Sequence, residues 1–254
     1  MSFPIEISFG NFSIGLHIIF ELLAFFIGFR YYLILSKKKL SPVTDSENIW
    51  ILIGATFGAF FLSRLIGALE NPIEWFNSDN LLLYFFLNKT IVGALLGGLI
   101  GVECVKIMIN QKNSFGDTIV YPLILAIIIG RIGCFSSGTS ELTYGIETSL
   151  PWGMYLGDSL LRHPVSLYEI LFLIILWLFL AKIKSASILK NGDYFKVFMI
   201  SYFIFRFLIE YIKPTYDFLG NITTIQITCI IVLCYYSIHF LKRTLKSKGY
   251  ITNE

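Results

Sequence analysis

Four arginines, Arg30, Arg64, Arg131 and Arg206, lie within or at the ends of stretches that otherwise read as bilayer-spanning helices. A guanidinium in hydrocarbon costs several kcal/mol, roughly 2.5–3.5 on insertion scales, so it is kept where it meets a partner. A cluster of cations in a membrane interior points to an anionic ligand, and in a bilayer the nearest is a phospholipid headgroup. Arg131 sits in the run Gly130-Arg131-Ile132-Gly133. The flanking glycines let a backbone or a ligand come close. Its planar fork of donors suits phosphate oxygens, and an ion pair with a span acid is the structural alternative.

Other polar groups stand at spacings that could support such a site. Arg206 and Glu210 are four apart and share a helix face, so Glu210 can neutralise Arg206, orient it toward phosphate, or both. His17 and Glu21 have the same spacing, and Glu21 falls in an apolar run where an acid must be paired or protonated. Arg162-His163-Pro164 precedes a helix start, placing Tyr168 and Glu169 one turn inside. His163 is the histidine of the outer loops, and proton shuttling and hydrogen-bond donation are both open to it. Lys89 lies about one turn inside the outer end of its predicted span, and Arg64 has Glu70 and Glu74 as prospective partners. Gln226 is the large polar group in the outer half of the last span, where a helix–helix hydrogen bond is the bland alternative. The four cysteines form no C-x-x-C pair and imply no disulfide framework; Cys134 reads as filling space. No Cys/His spacing indicates a metal, and no cofactor is expected.

The elements that must hold these groups are apolar helices. In 254 residues, 56% are hydrophobic and the mean hydropathy is +0.72, far too apolar for a soluble domain of this size. A hydrocarbon core of about 30 Å takes about 20 helical residues. Seven runs qualify, at 13–35, 49–69, 82–108, 118–137, 165–183, 194–212 and 221–241. The expectation is an all-α polytopic membrane protein with seven transmembrane helices and one domain over 1–254, without a cleavable signal peptide. Lys37, Lys38 and Lys39, Lys106 and Lys112, Lys182, Lys184 and Lys190, and Lys242, Arg243, Lys246 and Lys248 follow alternate spans. The positive-inside rule then puts the N-terminus in the periplasm and the C-terminus in the cytoplasm. An irregular periplasmic segment joins helices 4 and 5, with Trp152 and Tyr155 suited to the headgroup level. Gly54 with Gly58, and Gly93, Gly97 and Gly101, form small-residue packing faces. The basic residues trace a membrane rim rather than a patch, so nucleic-acid binding is unsupported. A channel or carrier is disfavoured, since no inverted repeat or broken-helix pair is visible.

The order of Gly130-Arg-Ile-Gly133, Arg162-His163-Pro164-x-x-Leu-Tyr168-Glu169 and Arg206-x-x-x-Glu210 resembles that of bacterial prolipoprotein diacylglyceryl transferases. Phe9-Gly-Asn-Phe-Ser-Ile14, Arg64-Leu-Ile-Gly67, Gly97-Gly98-Leu-Ile-Gly101 and Gln226 extend the resemblance over nearly the whole chain. It implies transfer of the diacylglyceryl group of phosphatidylglycerol to the lipobox cysteine of a preprolipoprotein, releasing glycerol 1-phosphate, in the bacterial inner membrane. It further implies that Arg131 and Arg206 bind phosphate, that Glu210 holds Arg206, and that Arg64, Tyr168, Glu169 and Gln226 support the site. Three features depart from the family's pattern: Cys134-Phe-Ser-Ser137 stands where Asn-Phe-x-Asn is usual, Leu96 replaces a histidine, and Glu21 lies about where a tyrosine falls. The base that ionises the acceptor thiol is then His163 first, with Glu21, Glu141 or the electropositive site itself as alternatives. A related transferase with another acceptor, or a phospholipid-binding protein without the chemistry, are the rival expectations.

Overall fold

The structure, a computed structural model, describes residues 3–10, 12–38, 45–186, 192–214 and 222–247. Along the chain run strands β1 (Glu6–Phe9) and β2 (Phe12–Gly15) and helices α1 (Leu16–Lys38), α2 (Asp45–Ala68), α3 (Pro72–Asn77), α4 (Leu81–Leu87), α5 (Ile91–Met108) and α6 (Val120–Ser137). Strands β3 (Met154–Tyr155) and β4 (Leu161–Arg162) follow, then helices α7 (Val165–Ser185), α8 (Asp193–Ile209) and α9 (Thr224–Ser247). The chain divides into two compact units, one of Met1–Ser41, Ser114–Phe198 and Tyr211–Pro214, the other of Pro42–Asn113, Met199–Glu210 and Thr215–Glu254.

In the first unit α6 packs against α1 and α7. A Cβ on Gly28 would lie 2.9 Å from that of Ala126, and one on Gly133 would lie 2.9 Å from that of Phe20, so the α1–α6 seam needs small residues at both levels. Trp177 of α7 stacks on Tyr31 and meets Tyr121 edge-on. The segment 138–164 is tied down rather than loose: β3 and β4 pair antiparallel, and Gly145 and Ile146 donate backbone hydrogen bonds to His163 and Ile212 carbonyls. Gly138 ends α6 at φ +58°, where an added Cβ would collide with the Leu156 carbonyl, so this turn requires glycine.

In the second unit α2 and α5 make the principal contact. A Cβ on Gly97 would strike the Gly58 carbonyl and one on Gly101 the Gly54 carbonyl, so the two glycine stripes read from the sequence face each other. The backbones approach more closely than any larger residue permits, and dispersion between them replaces side-chain packing.

Five described helices are long and apolar enough to cross a membrane: Leu16–Lys37, Ser46–Ala68, Ile91–Met108, Val120–Ser140 and Val165–Ser185. Their apolar side chains point outward as well as inward; Phe25 is 72% exposed and Phe57 71%. Such surfaces are stable only against lipid. This is a polytopic, mostly helical membrane protein.

Several expectations need correction. The span expected at 82–108 is two helices, α4 and α5, interrupted at Asn88–Thr90, so Lys89 lies in a break rather than inside a helix. Ser63 of α2 satisfies the interrupted backbone: its hydroxyl donates to the Thr90 carbonyl at 2.9 Å, and its carbonyl accepts the Thr90 N–H at 3.1 Å. Gly67 makes room, since a Cβ there would lie 2.7 Å from the Lys89 nitrogen. The first span starts at Leu16, not 13, because Phe12–Gly15 pairs with Glu6–Phe9 as a hairpin, in the register Glu6↔Gly15. The purely helical expectation is thus modified by two two-stranded sheets. Helix α8 stops at Ile209, and Glu210–Ile212 form a 3-10 turn. Of the predicted cytoplasmic rim, Lys39, Lys190 and Lys248 lie outside the described residues, as do residue 221 of the last span and the side chains of Lys242, Arg243 and Lys246.

Candidate active site

Arg131 lies in the last two turns of α6 and Glu169 in the first two turns of α7. Packing of α6 on α7 brings Nε of Arg131 to 2.9 Å from Oε1 of Glu169. Glu169 is completely buried and Arg131 is 8% exposed. Each charge stands in a low-dielectric setting where losing its partner is costly. Nη1 of Arg131 also lies 3.7 Å from Sγ of Cys134, one turn further along α6. The ion pair with a span acid is therefore realised, and it holds the guanidinium in one orientation.

His163 Nδ1 and the Tyr168 hydroxyl are 3.1 Å apart, linking the residue before Pro164 to the first turn of α7. Arg162 is held within the segment 138–164: Nε is 2.7 Å and Nη2 2.6 Å from Oδ2 of Asp158, and the guanidinium lies over the Tyr144 ring. The hydrogen bond from Arg162, helped by its charge, lowers the Asp158 carboxyl below its usual range, and the same bond raises Arg162. Arg162 thus fixes the loop that carries His163.

At the start of α1, His17 lies between two carboxylates, Glu21 Oε2 at 3.7 Å from Nε2 and Glu141 Oε2 at 3.3 Å from Nδ1. Donor atoms of His17, Cys134 and Glu141 all lie within 4.8 Å of one another, a set with the residue types of a metal site. No sequence spacing announced this cluster, since its members come from α1, α6 and the turn after α6; only the α1–α6 seam unites them.

The second unit holds Arg206, Glu210, Gln226, Arg64 and Lys89. Nη2 of Arg206 is 3.4 Å from Oε2 of Glu210, and both side chains are buried. The other carboxylate oxygen of Glu210 accepts from the Thr223 hydroxyl at 3.4 Å. Thr223 precedes α9 and Gln226 lies three residues on. The Thr223 hydroxyl accepts the Gln226 N–H at 3.1 Å, and the Gln226 side-chain oxygen accepts the Thr223 N–H at 3.0 Å. This reciprocal capping box fixes the start of α9 and aims Thr223 at Glu210. The sequence reading singled out Gln226 and missed Thr223, although Thr223-Thr-Ile-Gln226 is a capping-box signature. Thr224 then donates to the Leu69 carbonyl at 2.6 Å, tying α9 to the end of α2. Arg64, half-buried on α2, has its guanidinium over the Phe60 ring at 5.4 Å, and Lys89 is exposed in the break after α4.

The family model described as prolipoprotein diacylglyceryl transferase matches residues 4–241. Relatives named phosphatidylglycerol–prolipoprotein diacylglyceryl transferase occur in several bacteria. The one from Actinobacillus pleuropneumoniae serotype 3 (strain JL03) is 33% identical over 240 residues, covering 88% of this chain and 84% of the relative. That of Bordetella bronchiseptica is 30% identical over 224 residues, with 78% and 79% covered. That of Haemophilus influenzae (strain PittEE) is 30% identical over 245 residues, with 89% and 87% covered. With buried, carboxylate-held arginines at both Arg131 and Arg206 and a match that reaches into every helix described, this chain belongs to the prolipoprotein diacylglyceryl transferase family.

Proposed function

We propose that this protein is an enzyme that transfers the diacylglyceryl group of phosphatidylglycerol to the lipobox cysteine thiol of preprolipoproteins, releasing glycerol 1-phosphate. This is the first step of lipoprotein maturation. The observation that carries the reading is the family match over residues 4–241. The finer topology belongs to the same proposal: seven spans, N-terminus in the periplasm, C-terminus in the cytoplasm, and one transferase domain in the bacterial inner membrane.

The acceptor thiolate attacks the glyceryl carbon that bears the phosphate ester. A carbon–sulfur bond forms, the carbon–oxygen bond breaks, and the electron pair leaves on a phosphate monoester. Charge grows on that phosphate, so groups that stabilise it there accelerate the step. Arg131 and Arg206 take this role. Glu169 and Glu210 hold the two guanidiniums, and Thr223 and Gln226 position Glu210. A free thiol has a pKa of about 8.5 and needs a base. His163, kept in place by Tyr168, accepts the proton. Arg162 positions the segment bearing His163, and Arg64, Lys89 and Glu21 are assigned to substrate binding.

The test is a coupled assay on purified protein in detergent with phosphatidylglycerol and a lipobox peptide, following glycerol phosphate and peptide mass together. A diacylglyceryl mass increment with stoichiometric glycerol phosphate is expected. Arg131→Lys and Arg206→Lys keep the charge but lose the fork, and each is expected to lower kcat by at least about 100-fold, in the range seen when one charge-stabilising donor is removed. Folded wild-type protein that binds the lipid but yields neither product would move the reading to a different acceptor or a non-catalytic lipid-binding protein.

A further inference from the structure

We propose that His17, Cys134 and Glu141 form a three-ligand site for a zinc-class divalent cation at the outer end of the α1–α6 seam. This goes beyond the transferase reading and does not depend on it. Residues from two distant stretches of the sequence meet here, His17 from one and Cys134 and Glu141 from the other. Gly133 allows it, because a Cβ at that position would lie 3.2 Å from the His17 carbonyl. The α1 backbone therefore passes against α6 at the level of Cys134.

The imidazole is set up as metal-binding histidines are. Its Nε2 is turned to the Glu21 carboxylate at 3.7 Å, leaving Nδ1 for the cluster. A carboxylate behind the far ring nitrogen fixes the tautomer and raises the basicity of the near one. Nδ1 is buried and 3.3 Å from Oε2 of Glu141, yet no hydrogen bond in line joins them. A nitrogen and an oxygen at ion-pair distance without an aligned hydrogen bond also have the spacing of two ligands of one ion. With metal–ligand bonds of about 2.0–2.3 Å, tetrahedral donors stand roughly 3.3–3.7 Å apart. The His17–Glu141 separation already lies in that range, and the sulfur lies within 4.8 Å of both donors.

Charge favours a cation as well. Glu21 and Glu141 flank His17, and Glu169 lies behind Arg131, against that single guanidinium. Arg131 Nη1 lies 3.7 Å from Sγ. On binding, the Cys134 thiol releases its proton to solvent, and Sγ, Nδ1 and one Glu141 oxygen become ligands. A fourth position stays open to water or to an external thiolate. One sulfur, one imidazole and one carboxylate make a borderline donor set, which suits zinc and disfavours magnesium or calcium. Glu141 is 40% exposed on its side chain, giving the ion a way in.

The test uses the full chain in detergent with any affinity tag removed, stripped with chelator and equilibrated with zinc, bound metal being measured by mass spectrometry. One zinc per chain is expected. Cobalt in its place should show a thiolate-to-metal charge-transfer band that Cys134→Ser abolishes. His17→Ala and Glu141→Gln should each weaken binding at least about ten-fold, and Glu21→Gln about 10–100-fold, as expected for an outer partner. Glu141→Gln, at a half-exposed position, keeps the test valid if a buried variant does not fold. Sub-stoichiometric zinc on folded wild-type protein, a cobalt spectrum without the sulfur band, or unchanged affinity in both Cys134→Ser and Glu141→Gln would overturn the site. Because metal content is read directly, failure here is distinct from failure of the transferase assay.

Discussion

Replacing the two members of the Arg131–Glu169 pair, singly and together, separates the structural role of the pair from its chemical one. Glu169 is fully buried, Arg131 nearly so, and their contact is 2.9 Å. Removing one partner of a buried pair leaves an uncompensated charge and costs about 3–5 kcal/mol. Glu169→Leu and Arg131→Met should each fall in that range. Removing both charges and filling the space with apolar side chains should return stability to within about 1 kcal/mol of the parent, since buried pairs are often no better than well-packed hydrophobes. The two effects are then strongly non-additive, with a coupling energy of about 3 kcal/mol or more. Activity should not return, because Arg131→Met removes the donors assigned to the leaving phosphate. The assay pairs reversible unfolding in mixed micelles with turnover on phosphatidylglycerol and peptide. Two results would refute the reasoning. Single variants within about 0.5 kcal/mol of the parent would mean that the pair is not buried. A stable double variant with parental turnover would mean that Arg131 is structural only.

Other perturbations test neighbouring parts. Thr223→Ala removes both the capping hydroxyl of α9 and a bond to Glu210, and should cost about 1–2 kcal/mol in unfolding titrations, with a fall in kcat beyond that of the matched cap variant Gln226→Ala. Gly97→Val drives a side chain into the Gly58 carbonyl and should cost about 1–3 kcal/mol or more, read as lost thermal stability in detergent. Asp158 is held below the usual carboxylate range by Arg162, so its contribution is present above that range and is lost as pH falls through its lowered value. Protection of residues 139–163 from hydrogen exchange should therefore weaken at acid pH in the parent, and that pH step should be missing in Asp158→Asn.

Much of this arrangement was readable from local spacing, and the remainder follows from contacts that spacing cannot encode. The i, i+4 pair Arg206–Glu210 and the two glycine stripes are helix-periodic, so their geometry follows once the helix is recognised. The hairpin at Glu6–Gly15 had a legible signal in the alternation Glu6-Ile-Ser-Phe and Phe12-Ser-Ile-Gly15 about a Gly-Asn turn, but the apolar run beginning at 13 overrode it. The break at Asn88–Thr90 is harder, because mean hydropathy passes over three residues, and what sustains it is Ser63 on another helix. Seam partners are harder still. Nothing in α6 or α7 alone sets the register that joins Arg131 to Glu169, and nothing in α1 names Cys134 as its neighbour.

Those seam contacts change how the departures from the family's usual pattern are understood. Taken singly, the departures at Cys134 and Glu21 look unrelated. In the folded unit they share one cluster: Glu21 and Glu141 flank His17, and Cys134 lies between His17 and Arg131. Here the Glu21 and Glu141 carboxylates stand at ion-pair distance from His17, and Cys134 Sγ lies beside Arg131, so the four residues are understood together rather than singly. That ties the cluster to Arg131 through the contact of Cys134 Sγ with Nη1, and through Arg131 to Glu169. A change at Cys134 should therefore act on Arg131 orientation and on the local charge together, and replacing Cys134 alone by asparagine should not be neutral while His17, Glu21 and Glu141 remain.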